Sequence, residues 1–424
     1  MRRAGRTQRT ARLLLLGACF AVDLGGPVNA EPPVPAEMTA DQSSAPDQLY
    51  AGRSVAEWQA WFKEIELEGR ESIAAAPQLA ELAGDVTVPP ELRKQAALTL
   101  GRIRGAADDA VPVLRQLLAE TSISGGERPR SWALKSIALL GAPSAELTPQ
   151  VVSIVHDPAT ADFDRLLSLE ALARIGPAHA ATLSAIVRVL EHGAPAGAVP
   201  ADDVDAAAAH LRRRTAAADV LSLFGPAGSP AIPALLQSAR ADDELLRRIA
   251  VLSLGTMRST LLVDPLTDIL LVDSSPAVQD AAAVALAQIG PAAVPIFEPL
   301  LSDADPATRA RAADGLGRIG PAALSALGPL QTSLDDSAPE VRISAAEAVY
   351  RLSPADAPAL DTALALLTEP QREVRMRAHR LIVAIGRESR DPTVVERLQT
   401  LADSRDPRVR QAAFQTLREL HQAP

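Results

Sequence analysis

The segment DPATRARAADGLGRIGPAAL, residues 305–324, indicates the fold of the chain most clearly. Within it, GLGRIG, Gly315 to Gly320, has the glycine spacing of a dinucleotide-binding fingerprint, which works at a turn from a strand into a helix. The residues before Gly315 alternate arginine and alanine after Pro306, with no run of valine, isoleucine or aromatic residues. They predict a helix that begins at the proline. We therefore interpret Gly320 as a helix stop rather than as part of a phosphate-binding turn.

The same pattern recurs along the chain. Related copies include LARIGPAHA, LSLFGPAGS, LAQIGPAAV and LIVAIGRES. In most cases the last large apolar residue of a copy lies about 30 to 37 residues after that of the previous copy, a period typical of two-helix solenoid repeats. These anchor residues are Ile103, Leu140, Ile175, Phe224, Met257, Ile289, Ile319, Leu352, Ile385 and Leu420.

Each unit is built in the same order. A first helix starts with a proline that is followed three positions later by arginine, at Pro90, Pro306, Pro339 and Pro407, or by glutamine after Pro276. Alanine, leucine and isoleucine follow at three- and four-residue steps, and Gly-Pro ends the helix before a second apolar run. The sequence therefore predicts an all-α protein, an α-solenoid of about ten short two-helix repeats stabilised by contacts between neighbours.

Several of these segments resemble HEAT repeats. They are DPATRARAADGLGRIGPAAL, SPAVQDAAAVALAQIGPAAV, APEVRISAAEAVYRL and DPRVRQAAFQTL, and they are similar to the short bacterial repeats of phycobilisome-lyase-like proteins. The first repeat, YAGRSVAEWQAWFKEIELEG, further resembles the N-terminal unit of secreted bacterial HEAT proteins. The resemblance covers residues 49–424 and implies a non-catalytic scaffold that presents one face to a protein or peptide. Because the family also includes lyases and metal-dependent hydroxylases, an enzyme or enzyme-accessory role is the alternative.

Residues 1–30 have the order of a secretory signal peptide. MRRAGRTQRTAR carries five arginines, LLLLGACFAV is an apolar core too short to span a bilayer, and PVNA ends at Ala30 in a cleavage pattern. Cleavage there predicts an exported protein, periplasmic or extracellular, without a transmembrane span. LGAC resembles a lipoprotein signal, so a lipid anchor at Cys19 is one alternative, and an uncleaved anchor or a misread start is another.

The segment after the leader and the front of the solenoid differ in composition. Residues 31–48, EPPVPAEMTADQSSAPDQ, predict a disordered tether rich in proline, alanine and serine. Tyr50, Trp58, Trp61 and Phe62 follow within a short stretch, where no earlier repeat covers the first interface. They predict a hydrophobic cap, with a ligand-stacking site as the alternative.

One interval of the repeat is longer than the others. Ile175 and Phe224 are 49 residues apart, and EHGAPAGAVPADDVD, residues 191–205, fills the excess. Inserted loops gather on one face of a solenoid and can carry binding, although tolerated surface insertions are equally common. Asp202 and Asp203 in this loop are candidate partner-binding residues, and acid pairs of this kind also hold divalent cations loosely or cap helices.

The charge of the chain bears on its partners. The whole chain has a net charge of −10, and residues 1–30 hold five arginines and one aspartate, so the cleaved chain has a net charge of −14. This balance argues against a nucleic-acid-binding protein, which must neutralise phosphates, and is compatible with a basic protein or peptide. The cluster HLRRRT, with Arg212 to Arg214, is a local exception that we interpret as a solvated helix face.

Motifs of catalysis and cofactor binding are missing from the sequence. Cys19 is the only cysteine, so the cleaved chain has no thiol, disulfide or cysteine-based zinc site. None of the six histidines is followed by glutamate, so the His-Glu pairs of HEAT-repeat iron hydroxylases are missing too. There is no Gly-x-Ser-x-Gly and no Gly-Lys-Ser/Thr phosphate loop. We therefore assign no catalytic residue, metal ligand or cofactor from the sequence.

The second helices form the predicted partner-binding face. In AVPVLRQLL, residues 110–118, the helical period turns Arg115 and Gln116 outward and the leucines inward. The inward residues are Leu114, Leu117 and Leu118. Gln237, Asp268 and Glu298 hold similar positions in later repeats and complete the set of candidates.

Overall fold

The computed structural model describes residues 48–421, except for residues 66, 68, 104, 124–125, 127, 177–179, 194–203, 355–356 and 390–391. The predicted leader, the tether as far as residue 47, Cys19, Asp202 and Asp203 lie outside this part of the chain. The described residues form 22 α-helices joined by turns and short 3-10 segments, and they contain no β-strand. The predicted all-α solenoid is confirmed.

The helices alternate as the repeat pattern predicts. The front repeat has α1 (Val55–Glu64), α2 (Arg70–Ala74) and α3 (Ala76–Gly84). The first helices of the later repeats are α4 (Pro90–Arg102), α6 (Pro129–Leu140), α8 (Asp162–Ile175), α10 (Val204–Leu221), α12 (Glu244–Met257), α14 (Pro276–Ile289), α16 (Pro306–Ile319), α18 (Pro339–Leu352), α20 (Arg372–Ser389) and α22 (Pro407–His421). The second helices are α5 (Ala107–Ala119), α7 (Thr148–His156), α9 (Ala180–His192), α11 (Ile232–Ser238), α13 (Val263–Val272), α15 (Val294–Leu300), α17 (Leu327–Thr332), α19 (Ala357–Leu366) and α21 (Pro392–Ala402).

The chain divides into two compact units after Ile175. In the first unit, α4, α6 and α8 pack in succession, and in the second unit α10, α12, α14, α16, α18, α20 and α22 do the same. Most second helices pack against the first helix that follows them along the chain, for example α13 against α14. Each repeat therefore completes its apolar core with the next one, as expected of an array whose single units cannot bury their own faces.

The three glycines of GLGRIG have three structural roles. A Cβ atom at Gly315 would lie 2.5 Å from the ring of Phe297, and one at Gly317 would lie 2.9 Å from the Cα atom of Ala348 in α18. Gly320 follows the end of α16 with φ of 72° and ψ of −145°, a conformation that glycine adopts readily. The predicted helix stop at Gly320 is confirmed, and no strand precedes the motif.

The front of the first unit is closed by aromatic residues. Trp58 is fully buried, and its indole Nε1 donates to the carbonyl of Tyr50 at 2.8 Å. Trp61 and Phe62 are half-buried, with ring centroids 5.4 Å and 5.9 Å from that of Trp58. The guanidinium of Arg53 lies 4.8 Å from the centroid of the Trp58 ring. This cluster confirms the predicted hydrophobic cap.

The arginine cluster of α10 is not the solvated face expected from the sequence. Arg213 is buried and donates to the carbonyl of Gly193 at 3.1 Å, and Arg214 donates to the carbonyl of Leu190 at 2.9 Å. Leu190 lies in the last turn of α9 and Gly193 directly follows the helix, where carbonyls lack intrahelical partners. The cluster therefore satisfies the end of the preceding helix, a contact that depends on tertiary packing.

Candidate functional site

An arginine near the start of several first helices joins two loops. In α16, Arg309 donates through Nε and Nη2 to the two carboxylate oxygens of Asp336, both at 2.8 Å. Its Nη1 donates to the carbonyls of Asp303 and Ala304 in the loop before the helix. We call this arrangement the loop clamp. Its ion pairs are Arg93–Glu120, Arg247–Asp273, Arg309–Asp336 and Arg342–Glu369.

The loop clamp holds its charges in a partly buried place. The side chains of Arg309 and Asp336 are each 13% exposed. Hydrogen bonds from Arg309 lower the pKa of Asp336 in spite of the opposing effect of burial, and the N–H of Ala338 contributes another bond. The hydrogen bond to Asp336 likewise raises the pKa of Arg309. Since the ion pair of the clamp recurs at the same position of four repeats, we assign its arginines a structural role rather than a role in ligand binding.

A groove of about 910 Å³ lies on the first helices of the second unit. Side chains of α14, α16, α18 and α20 line it, and they are small or charged for the most part. We call it the first-helix groove. Its volume falls within the range of about 300 to 1,000 Å³ that is typical of ligand sites.

The lining of the groove follows one stripe on each of three successive helices. Residues at steps of four, three and four lie on the same face of a helix. The stripes are Ala307, Arg311, Asp314 and Arg318 on α16; Glu340, Ser344, Glu347 and Arg351 on α18; and Glu373, Arg377, Arg380 and Ala384 on α20. Equivalent positions of consecutive repeats thus lie side by side.

Ion pairs join these stripes across the repeats. Arg311 Nε lies 2.6 Å from a carboxylate oxygen of Asp280 in α14. Arg377 donates to both oxygens of Glu347 at 3.1 Å and 3.0 Å, and also to Ser344 Oγ at 3.1 Å. The wall of the groove is therefore a preorganised set of charges fixed by contacts between neighbouring helices.

Three charged side chains of the lining have no such partner. Glu340, Glu373 and Arg380 are exposed, and among the described residues none of them takes part in a hydrogen bond or an ion pair. Their exposed side chains line the groove. These are the groups that can meet a ligand without first breaking an internal contact.

Tyr350 adds a polar group to the same surface. Its hydroxyl donates to Glu388 Oε2, and burial together with this bond raises the pKa of Tyr350 to about 12. A tyrosine with a raised pKa contributes stability below the ordinary value of about 10 and loses it as the pH rises through the folded value. The hydroxyl is therefore a neutral donor at every physiological pH.

The residues predicted on the second helices are placed at the surface as expected, but several are engaged within the protein. Leu114, Leu117 and Leu118 are buried, whereas Arg115 and Gln116 are exposed. Arg115 lies 2.6 Å from Glu146, and Gln116 Nε2 donates to the carbonyl of Gly84 at 2.9 Å. These two candidates tie neighbouring elements together.

The candidates of the second unit lie in separate surroundings. Gln237 lines a cleft of about 550 Å³ and Asp268 an adjoining cleft of about 460 Å³, with Arg240 lining both. Glu298 is half-buried and accepts a hydrogen bond from Ser325 Oγ at 2.8 Å. None of the three lines the first-helix groove. Their role in partner binding stays a prediction.

Two acidic residues from the acid pairs of the sequence stabilise the fold. Asp243 accepts from the N–H of Leu246 at 2.7 Å and caps α12, and Asp336 belongs to the loop clamp. Among the described residues no group of three or more His, Cys, Asp or Glu side chains is arranged to hold a metal ion. No helix in the same part of the chain is long and apolar enough to cross a membrane.

Comparison with known families agrees with this architecture. A family model described as HEAT repeats matches residues 207–287, 232–303, 263–349 and 294–382. The chain contains HEAT repeats over residues 207–382. Its matched repeats include α14, α16 and α18, and all but the last turns of α20, so the first-helix groove is built from HEAT repeats. A comparison with curated proteins finds no match.

Solved structures similar to this HEAT-repeat protein include two from the Kap proteins and an engineered protein. Yeast importin-β (Kap95p) is 16% identical, with 85% of this chain and 53% of that chain covered and a TM-score of 0.46. Kap121p is 14% identical, with 86% and 44% covered and a TM-score of 0.45. The engineered protein is 19% identical, with 82% and 99% covered and a TM-score of 0.35. The chain spans about half the length of the two Kap proteins, and we draw nothing about function from neighbours this distant.

The sequence contained a signal for the groove on the first helices, whereas partner binding was predicted on the second helices. In the first helix α18, polar residues recur at steps of four, three and four from Glu340, and in α20 they recur at steps of four and three from Glu373. On one helix such a stripe is indistinguishable from a solvated face. The repetition of the stripe at equivalent positions of adjacent repeats was the feature of the sequence that indicated a groove.

Proposed function

We propose that this HEAT-repeat protein is an exported, non-catalytic scaffold that presents a solenoid face to a protein or peptide partner. The HEAT solenoid fold is typical of protein-interaction scaffolds. The observation that carries the proposal is the first-helix groove, in which four consecutive repeats contribute to one concave surface. Its charged wall is fixed by ion pairs between repeats, such as Arg311–Asp280 and Arg377–Glu347, so it needs little ordering on binding.

Export is supported by the order of charged, apolar and small residues in 1–30 and by the tether in 31–48. Sequencing the N-terminus of protein recovered from its own host tests this part. We expect the chain to start at Glu31. A chain that starts at an acylated Cys19 would favour the membrane-anchored lipoprotein, and an intact Met1 in the cell interior would contradict export.

The scaffold role is tested by filling the groove. Residues 31–424 serve as bait for an extract of the host envelope, with cross-linking and mass spectrometry as the readout. Ala307→Trp combined with Ala384→Trp adds bulk to two exposed alanines of the lining, and Ala60→Trp adds the same bulk to an exposed position of α1 outside it. We expect one partner that the parent chain and Ala60→Trp both capture and the filled groove does not.

The enzyme alternative predicts a different result. Protein purified from its host would then carry a stoichiometric metal or cofactor, and chelators, NAD or ATP would shift its melting temperature by several degrees. For a scaffold we expect no stoichiometric iron and no shift. Iron at one equivalent per chain would overturn the non-catalytic assignment.

A further inference from the structure

Two carboxylates of the first-helix groove stand out by position and by lack of a partner. Glu340 and Glu373 are each the second residue of their helix, in α18 and α20, and both are exposed in the groove. Neither takes part in a hydrogen bond or an ion pair within the described residues. A helix N-terminus stabilises a negative charge without neutralising it, so both groups keep their full charge for a ligand. We call this pair the acidic edge.

The rest of the acidic lining is neutralised by the protein itself. Asp280 pairs with Arg311 and Asp314 with Arg318, each at 2.6 Å. Glu347 pairs with Arg377 at 3.0 Å. A cationic ligand that approached these carboxylates would have to compete with an arginine already in place, whereas the acidic edge offers no competitor.

The spacing of the acidic edge limits the form of the ligand. The two carboxylates occupy equivalent positions of α18 and α20, which pack against each other, and packed helices have axes about 8–10 Å apart. In a polyproline II chain every third residue projects from the same side, and a rise of about 3.1 Å per residue separates these residues by about 9 Å. A base at every third position of an extended segment therefore matches one helix spacing.

We infer that the first-helix groove binds an extended, basic polypeptide segment in which lysine or arginine at positions i and i+3 pairs with Glu340 and Glu373. Arg380, seven residues after Glu373 on the same stripe, can donate to a carbonyl of the bound segment. Small residues of the lining, Ala307 and Ala384 among them, leave room for its backbone. The net charge of −14 on residues 31–424 also attracts a basic chain over distance. This inference deepens the proposed scaffold function and rests on it.

The test uses labelled peptides of defined spacing and residues 31–424 of the protein. The probe is a peptide of repeated Lys-Pro-Pro triplets, which favours the polyproline II form. A peptide of the same composition with its lysines clustered at one end controls for charge alone, and repeated Glu-Pro-Pro triplets control for chain shape. Fluorescence anisotropy at low ionic strength reports the dissociation constant.

The matched protein variant is Glu91→Gln. Glu91 is the second residue of α4, follows a proline as Glu340 does and is exposed, but it lies in the first unit, outside the groove. We expect Glu340→Gln and Glu373→Gln to weaken triplet binding about threefold each and about tenfold together, as exposed ion pairs do. Glu91→Gln should leave the dissociation constant unchanged, and the clustered peptide should bind more weakly than the triplets.

The results against the inference are distinct from those against the scaffold. Equal binding of triplets by the parent and by the double variant would overturn it, as would equal weakening by Glu91→Gln. Tighter binding of a helical peptide with lysine at every seventh position would overturn the extended geometry. If no basic peptide binds while the tryptophan-filled groove still loses its envelope partner, the inference fails and the proposed function stands.

Discussion

The loop clamp and the first-helix groove use the same residue types on the same helices, with different results. In α16, Arg309 and its partner Asp336 are each 13% exposed, and the clamp recurs in four repeats. Arg311, two residues further on, pairs with Asp280, whose side chain is 64% exposed, and the stripe it belongs to changes composition from repeat to repeat. Ala307 in α16 is replaced by glutamate at the equivalent positions 340 and 373.

This difference distinguishes charged residues that hold the repeats together from charged residues that are available to bind a partner. A charge that recurs at the same position of several repeats and meets a partner 26 or 27 residues later fixes the stacking of repeats. A charge that appears in only some repeats and meets no partner is available for a ligand.

Removing the arginine of the loop clamp should lower the free energy of unfolding more than any other change considered below. Arg309→Met leaves the partly buried carboxylate of Asp336 without its guanidinium, and we expect the free energy of unfolding to fall by about 3 kcal/mol. Urea unfolding followed by circular dichroism measures it, with hydrogen exchange in Pro306–Ile319 as a local readout. Arg311→Met is the matched change in the groove and should cost less than about 1 kcal/mol, because its partner is exposed. Equal losses would contradict the comparison.

The helix stop at Gly320 belongs to the architecture as well. Gly320→Ala places a Cβ atom at a φ of 72°, and we expect it to cost about 2 kcal/mol, within the range of strained backbone positions, without changing peptide affinity. Gly328→Ala is the control. Gly328 lies in α17 with open space around it, so alanine there should be neutral or slightly stabilising. A folded Gly320 variant that lost affinity for a nucleotide would reopen the phosphate-binding interpretation.

Acid should weaken the clamp in a direction set by the pKa of Asp336. Because Arg309 lowers that pKa in the folded state, the pair contributes stability above the unfolded pKa of about 3.9 and loses it as the pH falls through the folded value. The difference in unfolding free energy between the parent and Asp336→Asn should therefore be largest above pH ~4 and shrink below it. Urea titrations at several pH values measure this difference. A difference that grew on acidification would contradict the assignment.

The acidic edge should contribute least to stability. Glu340→Gln removes an exposed charge without a partner in the described chain, and we expect its unfolding free energy to stay within about 0.5 kcal/mol of the parent. Glu347→Gln, on the same stripe, removes a carboxylate that contacts Arg377 and Arg351 and should cost about 1 kcal/mol. Thermal unfolding of the two variants under one condition compares them. The reverse order would mean that Glu340 has a structural partner.

The candidate site was less accessible to sequence analysis than the fold. The stop at Gly320 was predictable from the Gly-Pro pair beside it, because a glycine at positive φ acts on its own helix. The roles of Gly315 and Gly317 were not, because they depend on Phe297 and Ala348 in other helices. Partner binding was predicted on second helices, at Arg115 and Gln237 among others, whereas the groove lies on first helices. A polar stripe on one helix forms part of a groove only when packing places the stripes of adjacent first helices beside it.

Helix starts and stops, and the stacking of repeats of about thirty residues, were predictable from the amino-acid sequence alone. Proline, glycine and apolar spacing act through the backbone within a turn or two, so these features are local. Tertiary structure decided which charges are neutralised, because the partners of Arg309, Arg311 and Arg377 lie 27 to 31 residues away on other repeats or loops. Packing places an arginine beside Asp280, Asp314 and Glu347 and, within the described residues, none beside Glu340 and Glu373.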